Sequence, residues 1–261
     1  MKIYCRMETG LEKNTIEDRV LVGDSILAGG QYYLDKPQYL APFTIAIADG
    51  VGGNNAGNIA AHMAVEGLAS IQFPSSLPSD DQIETLRQII NSLNLRIIEK
   101  SKTDYRLFRM ATTLSGLCYV NENWYLIHVG NSRIYTWTRP RLKQITTDHS
   151  WASEMRQRAY TEEIIQNSGR ASEISSCLGN GVPSSADQLV IKEVTEVINS
   201  AELLLFTTDG VHDYIAKDAL ESSVRSIQSI ETYMKQAMEY ARANGSTDDL
   251  SMLIVDKREN K

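Results

Sequence analysis

Two apolar runs in this chain end in the same three residues. Phe43 to Ala48 leads into Asp49-Gly50-Val51, and Leu203 to Thr208 leads into Asp209-Gly210-Val211. Each run has the length and composition of a buried strand, and each sets one carboxylate just past the strand end. Two more acidic ends join them. Glu17-Asp18 stands ahead of Val20-Leu21-Val22, and Asp248-Asp249 stands ahead of the run Leu250 to Val255. A single Asp-Gly is an ordinary turn signal, because both residues tolerate left-handed backbone angles. Four acidic strand ends are a different matter. Brought together, their carboxylates would repel one another and raise one another's pKa values. Two divalent ions would resolve that repulsion. With oxygen donors and no His or Cys among them, Mg²⁺ or Mn²⁺ fits best. Gly50 adds a backbone carbonyl that can approach an ion closely, since no side chain shields it.

Composition bounds the remaining classes. The chain has 261 residues, 42% of them hydrophobic and 23% charged, which is enough apolar material for a core. Net charge is -7 and no basic block occurs, which argues against a nucleic-acid surface. Cys5, Cys118 and Cys177 are odd in number and widely spaced, poor material for disulfides or a thiolate metal site. They read as reduced thiols of a cytoplasmic protein. No apolar stretch is long enough for a membrane span, and Met1 to Arg6 lacks a signal-peptide core.

Along the chain, Ile3 to Met7, Val20 to Leu27 and Tyr32 to Leu34 read as strands. Asn54 to Ile71 reads as a helix with an Asn start, and Phe73 to Ser79 as a break. Ser79 or Asp80 can cap a second helix, in which Ile83, Leu86, Ile90, Leu93 and Ile97 share one face. Thr113 to Val120, Trp124 to Val129 and Arg133 to Thr138 form a β-meander, which Leu142 to Ile145 extends. Residues 150–185 are the least regular and read as a flap. Ser229 to Asn244 is a helix stopped by Gly245, and a last strand follows. Strand runs set apart from helix runs give an α+β domain with mostly antiparallel sheets. No linker splits the chain, so one domain over 1–261 is expected.

At this point the residues match a family. Asp49-Gly50-Val51-Gly52-Gly53 resembles the Asp-Gly-x-Gly-Gly motif of the metal-dependent, protein phosphatase 2C-like serine/threonine phosphatases. Met110-Ala111-Thr112-Thr113-Leu114 resembles the family's Gly-Thr-Thr segment. Gly130-Asn131-Ser132-Arg133 is similar to its Gly-Asp-Ser-Arg motif, and Asp148-His149-Ser150 to its Asp-His-Ser segment. Thr208-Asp209-Gly210 resembles its Ser-Asp-Gly strand end, and Asp248-Asp249 stands where the family has Asp-Asn. The motifs keep the family's order from Lys13 to Val255. The bacterial branch is the nearer likeness, because Val51 stands where many eukaryotic members carry a general-acid His.

The resemblance implies a four-layer αββα sandwich, two packed antiparallel sheets flanked by helix pairs, with two metals at one edge. It implies that Asp49 bridges the ions, that Asp209 and Asp248 hold one, and that Glu17 and the Gly50 carbonyl hold the other. Asp18 and Asp249 would orient waters or ligate in a neighbour's place. A metal-bridging water would attack phosphorus. Lys13 stands where the family has a phosphate-binding Arg, and it supplies charge without a bidentate fork. Asn131 replaces an Asp that helps hold a weaker third metal, and Asp249 adds a charge where Asn is usual.

The expected function is therefore dephosphorylation of phosphoserine or phosphothreonine in proteins with Mn²⁺ or Mg²⁺, by a monomer that opposes a serine/threonine kinase. The alternative is a pseudophosphatase that binds a phosphoprotein without turnover, motivated by Lys13, Asn131 and Asp249. A nuclease would need a basic track that is missing. His128, His149, His62 and His212 carry blander readings as packed or loop-orienting residues. Ser150 lacks the Gly-x-Ser-x-Gly elbow of a nucleophile.

Overall fold

The computed structural model describes residues 1–11, 13–35, 42–52, 56–71 and 79–258. The strands β1 (Lys2–Glu8), β2 (Arg19–Val22), β3 (Ser25–Leu27), β4 (Gly30–Asp35), β5 (Phe43–Ala48) and β6 (Gly50–Val51) come first. Helices α1 (Gly57–Ala69) and α2 (Ser79–Ser101) follow. Next come β7 (Ala111–Thr112), β8 (Leu114–Val120), β9 (Asn123–Val129), β10 (Arg133–Thr138) and β11 (Arg141–Gln144). Then come α3 (Trp151–Gln157), α4 (Glu162–Asn167), β12 (Leu178–Gly179), β13 (Val190–Glu193) and α5 (Thr195–Ser200). The chain closes with β14 (Leu203–Thr207), α6 (Asp209–His212), α7 (Lys217–Arg225), α8 (Ile230–Ala243) and β15 (Leu250–Asp256).

Two six-stranded sheets form among the described residues, in the orders β11-β10-β14-β15-β1-β4 and β13-β9-β8-β5-β2-β3. A third, three-stranded sheet, β12-β7-β6, was not anticipated. All pairings are antiparallel.

The apolar runs are continuous because the central strands are covered on both faces. Alternate residues of β5 go opposite ways: Phe43, Ile45 and Ile47 join the core between the large sheets, while Ala46 and Ala48 pack under α1 and α2. In β14, Leu204 and Phe206 face that same central core, and Leu203 and Leu205 face α7 and α8. This is the four-layer sandwich expected. On α2, Leu86, Ile90, Leu93 and Ile97 are buried, as their spacing predicts.

Some boundaries differ from expectation. The first helix starts at Gly57, after an Ala56 that offers no side-chain cap, and the expected start at Asn54 lies outside the described residues, as does most of the break at 73–79. Residues 150–185 are more regular than their composition indicates, since α3 and α4 close over a small core of Ala152, Met155 and Ile165. Ser150 and Thr161 cap those two helices. Helices α5 and α7 were not foreseen. The last helix ends as expected, with Gly245 at φ +97°, a conformation that favours glycine.

Antiparallel pairing explains how distant carboxylates meet. Arg19 pairs with Ala48, so the start of β2 lies beside the end of β5 and sets Asp18 near Asp49. Thr207 pairs with Met252, so the end of β14 lies beside the start of β15, near Asp248 and Asp249. A hydrogen bond from Thr208 Oγ1 to Asp18 Oδ2 (3.0 Å) joins the two sheets at this edge.

Candidate active site

Lys13, Glu17, Asp49, Gly50, Asp209 and Asp248 line one open cleft of about 540 Å³. Asp18, Asn131 and Asp249 lie behind its wall and are buried. The fold brings all nine of these residues to the same edge.

The motif segments hold one another in place. Thr113 Oγ1 accepts the Asp49 N–H at 3.0 Å, the Thr113 N–H donates to the Asp49 carbonyl at 2.9 Å, and Thr112 Oγ1 donates to that carbonyl at 2.9 Å. Thr113 Oγ1 also lies 2.7 Å from Ser132 Oγ. Arg133 grips Asp148 through Nε and Nη2, with its shortest contact at 2.6 Å. Gly130 and His149 bond reciprocally, N–H to Nδ1 at 3.1 Å and carbonyl to N–H at 2.8 Å. These polar segments thus form a scaffold that fixes the backbone carrying Asp49.

Burial dominates the electrostatics. It raises the pKa values of Asp49, Asp18 and Asp209, and the charges of neighbouring carboxylates raise them further. Asp18, Asp209 and Asp248 are the neighbours that raise Asp49. Asn131 Nδ2 donates to Asp209 Oδ2 at 3.0 Å and works in the opposite direction.

Two observations test whether the residues suit divalent ions. A Cβ placed on Gly57 would lie 2.5 Å from the Gly50 carbonyl oxygen and 2.7 Å from Glu17 Oε1, so both donors converge beside the start of α1. Asp18 Oδ1 and Asn131 Oδ1 are buried oxygens with no hydrogen-bond partner among the described residues. An oxygen-only donor set with spare lone pairs fits Mg²⁺ or Mn²⁺. Among the described residues, no three acidic, His or Cys side chains are already drawn together as a cage. Lys13 Nζ instead stands 2.6 Å from Asp248 Oδ1, 3.1 Å from Glu17 Oε2 and 3.3 Å from Asp249 Oδ2.

Other sequence readings find their places. His128 is buried between Ser115 Oγ and the Thr147 carbonyl, and His212 is buried against Thr207 Oγ1. His62 is exposed on α1. Ser150 is the α3 cap. The cleft also has a far wall, in which Ser172 to Ile174, Cys177 and Asn180 come from the expected flap at 150–185, while Arg109 is a residue the sequence reading does not single out. The available signal was Arg109's place just ahead of the Met110 to Leu114 motif.

The model of the Protein phosphatase 2C family matches residues 36–253, and the chain belongs to that family. The serine/threonine phosphatase stp of Listeria welshimeri is 27% identical over 216 residues, covering 82% of this chain and 84% of that protein. The protein phosphatase PhpP of Streptococcus pneumoniae is 25% identical over 218 residues, covering 82% and 86%. In fold, the chain is similar to the S. agalactiae serine/threonine phosphatase, with a TM-score of 0.78, 21% identity and coverage of 97% and 98%. It is also similar to the Mycobacterium tuberculosis phosphatase PstP/Ppp, with a TM-score of 0.75, 22% identity and coverage of 98% and 99%.

Proposed function

We propose that this protein is a Mn²⁺- or Mg²⁺-dependent serine/threonine protein phosphatase, a catalytic domain over 1–261 with its flap at 150–185. The observation that carries this reading is the meeting of Asp49 and Asp209, ends of two different sheets, on one cleft with Glu17, Gly50 and Asp248. The Listeria stp and the Mycobacterium tuberculosis PstP are named serine/threonine phosphatases, PhpP is named a protein phosphatase, and the catalytic domain of PstP has been solved in complex with two manganese ions.

Glu17 and the Gly50 carbonyl would hold one ion, Asp209 and Asp248 the other, with Asp49 between them. Bound there, the ions supply positive charge for the phosphoryl oxygens and acidify water. The chain's own residues set the geometry. Thr112 and Thr113 fix the backbone of Asp49. Asn131 orients Asp209, and the Gly57 N–H donates to Glu17 Oε1 at 3.2 Å. No cleft His stands ready to protonate the leaving alkoxide among the described residues, so bulk water takes that role. A phosphorylated protein is the substrate class, and a serine/threonine kinase is the activity it would oppose. The three cysteines are free and buried, which suits a reducing cytoplasm, and no helix among the described residues is long and apolar enough to cross a membrane.

Hydrolysis of a phosphothreonine peptide with Mn²⁺, with and without a chelator, tests the reading beside Asp209→Asn. Turnover that needs metal and falls at least 100-fold in the variant is expected. Metal-independent turnover, or full activity of Asp209→Asn, would overturn the assignment.

A further inference from the structure

The far wall of the cleft carries one guanidinium. Arg109 lines the same cleft as Asp49 and Asp209, and Lys13 is the other cation there. Lys13 is occupied by three carboxylates. Glu173, the acid on the far side of the cleft, is already paired with Arg170 at 2.8 Å. Arg109 is different: among the described residues no carboxylate is paired with it, and its one hydrogen bond runs from Nε to Asn180 Oδ1 at 3.0 Å. That bond fixes the plane of the guanidinium and leaves both terminal nitrogens, with their paired donors, for a ligand.

The backbone is spent on this placement. Arg109 has φ +57° and Asn180 has φ +55°, left-handed values that cost free energy in non-glycine residues. The two loops are pinned together by the Asn180 N–H, which donates to the Met110 carbonyl at 3.0 Å. Two strained residues that hydrogen-bond each other across a cleft rim make a fixed arm.

Register sets how far that arm lies from the chemistry. Gly50 pairs with Thr112 and Val51 with Ala111, so Arg109 falls about four residues beyond the level of Asp49. Only Ala111 and Thr112 are in the ladder and Arg109 is left-handed, so the offset along the chain is at most about 13 Å, the span of four extended residues. An arginine within that reach, on the same cleft as Asp49, meets residues beside the phosphorylated one in a bound chain.

We infer that Arg109 is a specificity-determining residue that binds an oxyanion on the substrate chain within three residues of the phosphorylated side chain. The oxyanion is the carboxylate of Asp or Glu or a second phosphate group. This inference rests on the phosphatase reading above.

The test compares kcat/KM with Mn²⁺ for phosphothreonine peptides that are neutral around the phosphoresidue with peptides carrying one Asp at each position from three before to three after. A second arm replaces that Asp with phosphoserine and follows release from the phosphothreonine by mass spectrometry. Wild type should prefer the best acidic peptide by roughly five- to tenfold, as expected for a charge-assisted hydrogen bond at an exposed rim. That ratio should fall toward one in Arg109→Gln and be partly kept in Arg109→Lys, which retains charge without the fork. The arm with the larger ratio identifies the oxyanion. A wild-type ratio near one in both arms, or a ratio kept in Arg109→Gln, overturns the assignment and leaves the phosphatase reading standing. No turnover of any peptide overturns both.

Discussion

The Asp249 carboxylate accepts the backbone N–H of Glu17 at 2.7 Å, joining residues 232 positions apart. Its other oxygen accepts the Gly10 N–H, also at 2.7 Å. Asp249 therefore fastens both ends of the segment between β1 and β2 to the start of β15. Glu17 owes its position at the cleft to that clamp.

Replacing Asp249 with Ala should leave two buried N–H groups unmatched. A buried donor that loses its partner costs about 1–3 kcal/mol. Relief of repulsion with Asp18 and Asp248 offsets part of the loss, so a net destabilisation of about 2 kcal/mol is expected. Urea denaturation at constant slope measures it. A variant as stable as wild type would mean that the clamp contributes nothing.

Lys13 neutralises the site internally. Burial disfavours its ammonium, but the hydrogen bonds and charges of Asp248, Asp249 and Glu17 more than offset this and raise its pKa. Lys13→Met should therefore lower the melting temperature of chelator-treated protein, because three carboxylates lose their common partner. Mn²⁺ should then raise the melting temperature of the variant more than that of wild type, since no ammonium competes for the same oxygens. Equal or smaller shifts in the variant would show that Lys13 and the ion do not share those carboxylates.

How much of this was written in the sequence depends on the range of the interaction. Asp49 and Asp209 were legible because each follows a strand whose apolar run is unbroken, and such runs mark burial on both faces. The α2 face was legible from Leu86, Ile90, Leu93 and Ile97 alone. The third sheet was not, because β6, β7 and β12 have two residues each and carry no period. Helix α7 has nine residues and buries Leu220 and Val224, a single i,i+4 pair that is too short to establish a period in sequence. The clamp role of Asp249 depends on backbone N–H groups that composition cannot reveal. Arg109 was hidden for a related reason: residue type does not record the sign of φ.

Gly57 tests the ion site without removing a ligand. A Cβ there would stand 2.5 Å from the Gly50 carbonyl and 2.7 Å from Glu17 Oε1, distances that backbone must yield to relieve. Gly57→Ala should cost about 1–3 kcal/mol, as other overpacking substitutions do. It should also weaken Mn²⁺ binding, read by calorimetry, although every carboxylate remains. Unchanged affinity would separate the Glu17–Gly50 pair from the ion site.

His128 sets a pH dependence of stability. It is buried with its ring nitrogens 2.8 Å from Ser115 Oγ and the Thr147 carbonyl. Burial, then the neighbouring His149, pushes its pKa down to about 4, while Thr147 and Asp148 pull the other way. An unfolded chain would titrate it near 6.5. Between those values the unfolded state binds more protons than the folded one, so stability falls as pH falls through this window. The contribution is full above about pH 6.5, and its loss amounts to roughly 3 kcal/mol once pH drops below 4. His149 and His212, also lowered by burial, act in the same direction. In urea midpoints measured from pH 7.5 to pH 4, His128→Gln should start less stable than wild type and lose less on acidification. Parallel curves for the two proteins would assign the acid sensitivity to the other buried groups.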